Sequence, residues 1–441
     1  MKIAMIHFRT KQTDGVSLEM DKWRDVLEDL GHQVIYITGS KDEKEVYLPE
    51  LEYRNERNLK LVEEIFKKEN PSKTEEQIKE DIYNYANQFK TKFKKIIKKR
   101  DIDLLIPNNV FSLGWNIAVG FGLAQAIEEL ELAAIAHHHD FYWERELYQD
   151  PNYKIVELML EKYFPPKLAS IRHVVINRIA QKKLMNKKDI WSEVVPNVFD
   201  FKQDHWKINE DNKDLKRELG LKENDIIFLQ ATRIAERKAI ELAINFVSKF
   251  KRQYKEKLIN NNLYDNRQFR KENEIVLVMP GLEEDNESYI SKLKKLANEK
   301  GVRIIWAHQL LKENRYSLWD FYANCDMITY PSIKEGWGNQ LLEGFFSKKP
   351  IMIYEYPVFK TDIQKYNPIV ASLGSGYESK TNGLVSIEEK RYKEPLEEAY
   401  KYLTNNEYRQ EAVNYNFVIA RRNFSKERLK EILEKLLSNF I

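Results

Sequence analysis

One stretch constrains the fold of this 441-residue chain more than any other: Tyr330-Pro331-Ser332-Ile333-Lys334-Glu335-Gly336-Trp337-Gly338-Asn339-Gln340-Leu341-Leu342-Glu343. Met327, Ile328 and Tyr330 lead into it as an apolar run that reads as a strand. Gly336 and Gly338 make a tight turn, and Leu341, Leu342 and Phe345 follow at helical spacing. The result is a strand, a glycine-bearing loop and a helix whose first N–H groups have no internal partner. Such an end attracts anions, phosphates above all. Two carboxylates bracket the loop, Glu335 before the glycines and Glu343 within the helix. A carboxylate beside a phosphate site suits sugar hydroxyls better than phosphate. The stretch therefore points to a ligand with both parts, a nucleotide sugar.

A chain of this length is too long for one ordinary core, and two domains are expected. The net charge of +3 is small beside 72 basic and 69 acidic side chains, which describes a mixed, solvated surface and not a nucleic-acid footprint. The single cysteine, Cys325, excludes a disulfide framework and a multi-cysteine metal site, and reads as a buried thiol at a helix-to-strand junction. The first residues, Met1–Ile6, read as a strand and not a signal peptide, and no apolar run approaches a membrane span. A cytoplasmic protein is expected, with peripheral membrane contact left open and the oligomeric state undetermined.

The first half alternates. A strand Lys2–His7 is followed by polar residues to Asp14, a helix from Gly15 to about Leu30, a cap at Gly31 and a strand Val34–Thr38. This is a βαβ unit, which implies a parallel sheet. The stretch 41–100 is highly charged and helical in spacing, with Phe89, Phe93, Ile96 and Ile97 as an apolar stripe. The lysines at 90, 92, 94, 95, 98 and 99 read as a solvated face, with an acidic acceptor or membrane surface as the alternative. Strand Asp101–Pro107 ends at Asn108 and Asn109, where open α/β sheets bind ligands. A helix from about Leu113 to Leu130 leads to strand Ala133–Ala136 and the run His137-His138-His139-Asp140-Phe141-Tyr142-Trp143-Glu144-Arg145. Strands His173–Asn177 and Glu193–Pro196 close this half at Asn197.

Residues 202–223 are polar and read as a linker. A second alternating set follows, with strands Asp225–Gln230, Ile275–Met279, Val302–Trp306, Asp326–Tyr330 and Pro350–Tyr354 and a helix from Ala239 to Phe250. A charged insertion at 251–274 interrupts it, and an amphipathic helix, Ser425–Phe440, ends the chain. Two α/β domains are expected, 1–200 completed by the helix 425–441, and 201–424.

Arg233 and Lys238 follow strand Asp225–Gln230, at the same kind of strand end as Glu335. Taken with the glycine loop they are candidates to clamp a diphosphate by charge-assisted hydrogen bonds. Neighbouring histidines on a strand point to opposite faces, so three in a row cannot share one metal, although His137 and His139 can share a face. No further ligand stands at a recognisable zinc spacing, so the functional reading is hydrogen bonding to a sugar and the structural one a satisfied core histidine. Phe141, Tyr142 and Trp143 suit either sugar stacking or a core. No G-x-G-x-x-G follows the first strand, which disfavours a dinucleotide site there.

With these residues in place, the sequence resembles the retaining glycosyltransferases of family 4, which have the GT-B fold. Glu335-Gly336-Trp337-Gly338 through Glu343 is similar to the family's two glutamates seven residues apart. Arg233 with Lys238 resembles its diphosphate pair, Pro196-Asn197 its interdomain turn, Leu30-Gly31-His32-Gln33-Val34 the end of its first helix, and Ala420–Ser425 its crossing to the last helix. The resemblance implies two Rossmann-like domains facing across a cleft, with a UDP- or GDP-sugar donor mainly on the second. It implies that Glu343 holds the ribose, Glu335 the transferred sugar, and Arg233 and Lys238 the leaving diphosphate. Gly15, Gly336, Trp337, Gly338, Asn339 and Gln340 complete the donor set, and His139, or its neighbour His138, touches the donor sugar. Asn108, Asn109, Trp143 and Arg145 are weaker candidates for acceptor or sugar contacts. No metal and no cofactor beyond the donor is expected.

The sequence departs from the family where Asp14 replaces a glycine, where Val198 follows Asn197, and where Ala239 follows Lys238. Asp14 would repel a diphosphate, so in this reading it faces the acceptor. The implied reaction is retaining transfer of a hexose to a hydroxyl of a small molecule or glycan, an acidic sugar among the candidates. The alternatives are a sugar-nucleotide epimerase of the same fold and a non-enzymatic sugar-nucleotide-binding protein.

Overall fold

The structure, a computed structural model, describes every residue except 11–14, 42–44, 260, 284–286, 439 and 441. Asp14 is among the exceptions, so the reading placed on it lies outside the described residues. The chain forms two compact units, Met1–Val198 with Lys426–Ile441, and Phe199–Ser425.

The first unit is built on a seven-stranded sheet in the order β3-β2-β1-β4-β5-β6-β7. The strands are β1 (Lys2–His7), β2 (Gln33–Thr38), β3 (Val46–Tyr47), β4 (Leu104–Pro107), β5 (Ala133–His138), β6 (Ile171–Val175) and β7 (Ser192–Val194). All neighbours pair in parallel. Side chains alternate across each strand, so β1 feeds two cores. Ala4 and Ile6 pack with Phe89, Phe93, Val119 and Leu123 on one face. Ile3 and Met5 pack with Trp23, Leu27, Leu429 and Leu433 on the other. The helix Lys426–Leu437 thus supplies core to the unit that holds the start of the chain.

The second unit carries a six-stranded sheet, β10-β9-β8-β11-β12-β13. Its strands are β8 (Ile226–Leu229), β9 (Ile275–Met279), β10 (Arg303–Trp306), β11 (Met327–Tyr330), β12 (Ile351–Ile353) and β13 (Ala371–Ser372), again all parallel. The order reverses between β8 and β11, and in open parallel sheets ligands bind at such a switch point. The expected α/β class holds.

Two helix boundaries, the linker segment and the lysine face differ from the sequence reading for identifiable reasons. The helix expected from Leu113 begins at Ile117, because the Asn116 side chain caps it by accepting from the Val119 N–H at 3.2 Å. The helix expected to stop at Phe250 runs to Leu258, because Phe246, Phe250, Tyr254 and Leu258 form one buried stripe at i, i+4 spacing. The first third of the charged insertion, residues 251–258, is therefore the end of that helix. The segment read as a linker packs on the second unit, with Trp206 stacked 4.2 Å from Trp319 and the Asn212 amide donating to Asp320 at 2.8 Å. The lysine-rich helix, Glu75–Arg100, buries Phe89, Phe93 and Ile97 as its stripe predicts. Three of its lysines are not simply solvated: Lys90 and Lys94 pair with Glu129 at 2.7 and 2.6 Å, and Lys92 with Glu50 at 2.5 Å.

Candidate active site

In the second unit Lys238 and Glu335 meet at the carboxyl ends of β8 and β11. Thr329 on β11 donates to the Gln230 amide oxygen at 2.8 Å, and the Gln230 nitrogen donates to Thr232 at 2.7 Å. This buried bridge fixes where the chain leaves β8. A single helical turn, Glu236–Lys238, follows, and the Ile333 N–H donates to the Arg237 carbonyl at 3.0 Å, bringing the two loops together. Lys238 Nζ then bonds Glu335 Oε1, with side-chain exposures of 4% and 8%. Arg237 stands 3.7 Å from the other carboxylate oxygen. Arg233 is exposed at the same strand end. Ala239, in the position the resemblance assigns to glycine, adopts φ +45°, a left-handed backbone that costs an alanine about 1 kcal/mol.

Gly338 ends the glycine loop at φ +113° and precedes the helix Asn339–Phe346. A Cβ there would lie 2.2 Å from the Tyr356 hydroxyl, which itself donates to the Trp337 carbonyl at 2.9 Å. Trp337 is expected from the sequence as a donor contact, but its ring is buried against Phe424 at 5.4 Å, so it anchors the loop. Asn339 and Gln340 open the helix and are half-buried. Glu343 Oε2 accepts from the Tyr322 hydroxyl at 2.8 Å. Burial and the Glu343 charge push the Tyr322 hydroxyl well above the usual phenol range, so it stays a donor. Tyr322 and Tyr356 carry no signal in the sequence. Neither does Gly281: a Cβ on it would fall 1.8 Å from the Thr232 carbonyl oxygen and 3.2 Å from the Arg233 Cα, so only glycine lets the chain after β9 support Arg233.

In the first unit the histidine run lies on and just beyond β5. Asn108 and Asn109 are buried and engaged with it. Asn108 Oδ1 is 3.1 Å from His137 Nδ1, and its amide nitrogen donates to the Ile106 carbonyl at 3.0 Å. Asn109, at φ +58°, accepts the His139 N–H at 2.7 Å. The His137 ring is sandwiched, 4.4 Å from Trp23 and 4.1 Å from His139. His138 points to the other face, where its Nε2 lies 2.9 Å from His173 Nδ1. Burial and neighbouring imidazoles hold His137 and His138 well below the usual histidine range, and burial lowers His173 to about 4. All three are neutral at pH 7. No group of three or more His, Cys, Asp or Glu among the described residues could hold a metal ion. Phe141 is fully buried and core, and the half-buried Trp143 stacks on it at 4.3 Å. Arg145 is exposed and bonds Asp140 at 3.0 Å. Gly15 is the first residue of the helix Gly15–Asp29.

Comparison with known proteins identifies this chemistry. Residues 211–417 match the model of the glycosyl transferases group 1 family, which covers the whole β8–β13 sheet. The mannosylglucosylglycerate synthase of Thermotoga maritima is 37% identical over 443 residues, covering 99% of this chain and 99% of that protein. The enzyme of the same name from Petrotoga mobilis is 39% identical over 416 residues, covering 91% and 93%. Among solved structures, a glycosyltransferase from Rickettsia africae superposes with a TM-score of 0.63 at 14% identity, covering 100% of this chain and 98% of that one. Anabaena HepE, solved with UDP and glucose, superposes with a TM-score of 0.61 at 12% identity, covering 100% of both chains. At such identities the superpositions establish the fold, which is GT-B. The chain is an enzyme: it carries a group 1 glycosyltransferase domain and belongs to the family of the mannosylglucosylglycerate synthases.

Proposed function

We propose that this enzyme transfers a mannosyl residue from a nucleoside-diphosphate mannose to a hydroxyl of glucosylglycerate, with retention of configuration. The observation that carries the reading is the identity to mannosylglucosylglycerate synthases, which runs along nearly the whole chain and not the donor unit alone. In this reading the second unit holds the donor. Arg233 and Lys238 take the diphosphate, Glu343 the ribose and Glu335 the mannose. The first unit holds the acceptor, with His139 toward the reacting carbon.

The acceptor oxygen bonds to the anomeric carbon as the bond from that carbon to the diphosphate breaks. The hydroxyl proton passes to the leaving diphosphate. Rate enhancement comes from positioning and from cations aimed at the charge that develops on the leaving group. Glu335 supports a binding role over a nucleophilic one, because its carboxylate is already held by Lys238. The same cations make a metal unnecessary in this reading.

The test is product analysis by mass spectrometry with GDP-mannose, UDP-mannose and UDP-glucose against glucosylglycerate, glycerate and no acceptor, with and without EDTA. The expected product is mannosylglucosylglycerate, at a rate EDTA leaves unchanged, with the anomeric configuration of the donor by NMR. Epimerised sugar and free nucleotide, released equally with and without acceptor, would refute the transfer.

A further inference from the structure

The carboxyl edge of the first unit's sheet carries a cationic aromatic surface that the donor chemistry does not use. Arg9 follows β1, Tyr53 lies beyond β3, Trp115 beyond β4 and Arg145 beyond β5. The Tyr53 and Trp115 rings are 4.4 Å apart and inclined by 31°. The Arg9 guanidinium lies 5.4 Å from the centre of the Tyr53 ring, and Arg145 lies 5.5 Å from that of Trp115. Arg54 adds a third guanidinium, 5.4 Å from Tyr53. The row is therefore arginine, tyrosine, tryptophan, arginine, drawn from four separate stretches of chain.

The surface is built and not incidental. Asn58 is buried, and its amide nitrogen donates to the carbonyls of both Tyr53 and Trp115 at 2.7 Å. A Cβ on Gly39 would fall 2.2 Å from the Glu52 nitrogen and 2.5 Å from the Phe8 carbonyl oxygen, so glycine there lets the turn bearing Tyr53 lie against β1. The Tyr142 N–H donates to the Ser112 carbonyl at 2.6 Å, which ties the loop of Arg145 to the loop of Trp115. Behind this rigid support, Tyr53, Trp115 and Arg9 are half-buried and Arg145 is exposed. Asp140 takes one donor of Arg145, and a guanidinium has five.

We infer that this cradle is the acceptor-selecting site: its guanidiniums, held against the Tyr53–Trp115 stack, bind the carboxylate of an acidic glycoside. The inference rests on the acceptor class proposed above. Guanidinium forks match a carboxylate in two parallel hydrogen bonds, and an aromatic face beneath a guanidinium holds it in place by cation–π attraction. A neutral acceptor would leave the forks without a ligand charge, so the cradle selects acids over alcohols of the same shape.

The test compares glucosylglycerate with its neutral counterpart glucosylglycerol, by calorimetry in the presence of GDP and by acceptor KM, in the natural enzyme and in Arg9→Gln, Arg9→Lys, Arg145→Gln and Trp115→Leu. Each glutamine variant is expected to weaken glucosylglycerate roughly ten- to a hundredfold, the worth of a charge-assisted hydrogen bond. Arg9→Lys recovers part of the loss, glucosylglycerol affinity and donor KM stay unchanged, and Trp115→Leu, which removes the ring beneath Arg145, weakens glucosylglycerate alone. Glucosylglycerate affinity within about twofold of the natural enzyme in both glutamine variants overturns the cradle, even if transfer proceeds. Binding without transfer in the natural enzyme overturns the proposed reaction and leaves the cradle standing, and no binding of either ligand overturns both. Should Arg9→Gln unfold, Arg145→Gln, at an exposed position, decides the outcome.

Discussion

Lys238 and Glu335, 97 residues apart in sequence, are joined by an ion pair at the point where β8 and β11 present their carboxyl ends. Both side chains are nearly buried, and Arg237 stands 3.7 Å from the same carboxylate. The arrangement is asymmetric. Lys238→Ala leaves Glu335 with a second cation nearby, whereas Glu335→Ala removes the carboxylate from beside two cations. Both substitutions should lower kcat by about a hundred- to a thousandfold, the usual cost of a lost preorganised charge. Glu335→Ala should also be the more destabilising, approaching the ~3–5 kcal/mol typical of a broken buried pair. Steady-state kinetics and denaturant unfolding of both variants check this. Full activity in Glu335→Ala would remove Glu335 from the site.

Gly281 supports Arg233 from the neighbouring strand. With only 1.8 Å between an added Cβ and the Thr232 carbonyl oxygen, Gly281→Ala must push the chain after β8 outward. Arg233 moves with it. Donor affinity, read by calorimetry with GDP, should fall about tenfold or more, because a misplaced guanidinium loses its phosphate geometry. Unfolding should change by about 1–3 kcal/mol. A variant that is destabilised but binds donor normally would show that Arg233 does not contact it.

The contrast between these two sites explains what the sequence could carry. The glycine loop was legible because its information is local: a strand, two glycines and a helix start lie within fourteen neighbouring positions from Tyr330 to Glu343. The meeting of Lys238 with Glu335 was legible because a parallel sheet brings strand ends together. Gly281, Tyr322 and Asn58 were not, because each acts through a contact with a residue distant in sequence, and nothing in its own neighbourhood marks it. The resemblance places Trp337 in the donor set, but it carries no information on the Phe424 ring, distant in sequence, against which Trp337 packs. The helix to Leu258 was obscured by Lys251, Arg252, Lys255, Glu256 and Lys257, whose charges mask a regular buried stripe.

Asn109 is a positioning residue. Its side-chain oxygen accepts the His139 N–H at 2.7 Å and the Ser112 hydroxyl at 3.2 Å, fixing the turn that follows β5. Asn109→Ala removes that acceptor and places an alanine at φ +58°. The expected result is a kcat about tenfold lower with donor KM unchanged, since in the proposed reaction the phosphates are held by the second unit's residues. Asn109→Asp retains the acceptor and tolerates the backbone, and should recover most of the rate. Equal losses in the two variants would mean that the amide nitrogen, not the oxygen, is the group that matters.

The buried pair His138–His173 sets an acid limit on the first unit. Burial lowers His173 to about 4 and holds His138 well below the ordinary value of 6.5, so neither accepts a proton in the folded state near neutrality. The unfolded chain protonates both near 6.5. At these two sites it therefore binds more protons than the folded chain as pH falls below 6.5, for His173 down to about 4, and protonation favours unfolding there. For His173 the stability contribution is complete above 6.5, declines as pH falls through 6.5 toward 4, and changes little further below that, and His138 adds a loss of the same sign. For His173 alone the decline is on the order of 3 kcal/mol. Thermal unfolding followed from pH 7.5 to 4.5 should show Tm falling steeply below pH 6.5. His173→Asn removes one titrating ring and keeps an acceptor near His138 Nε2, so the same scan should be visibly flatter. An unchanged slope in that variant would assign the acid sensitivity to other groups.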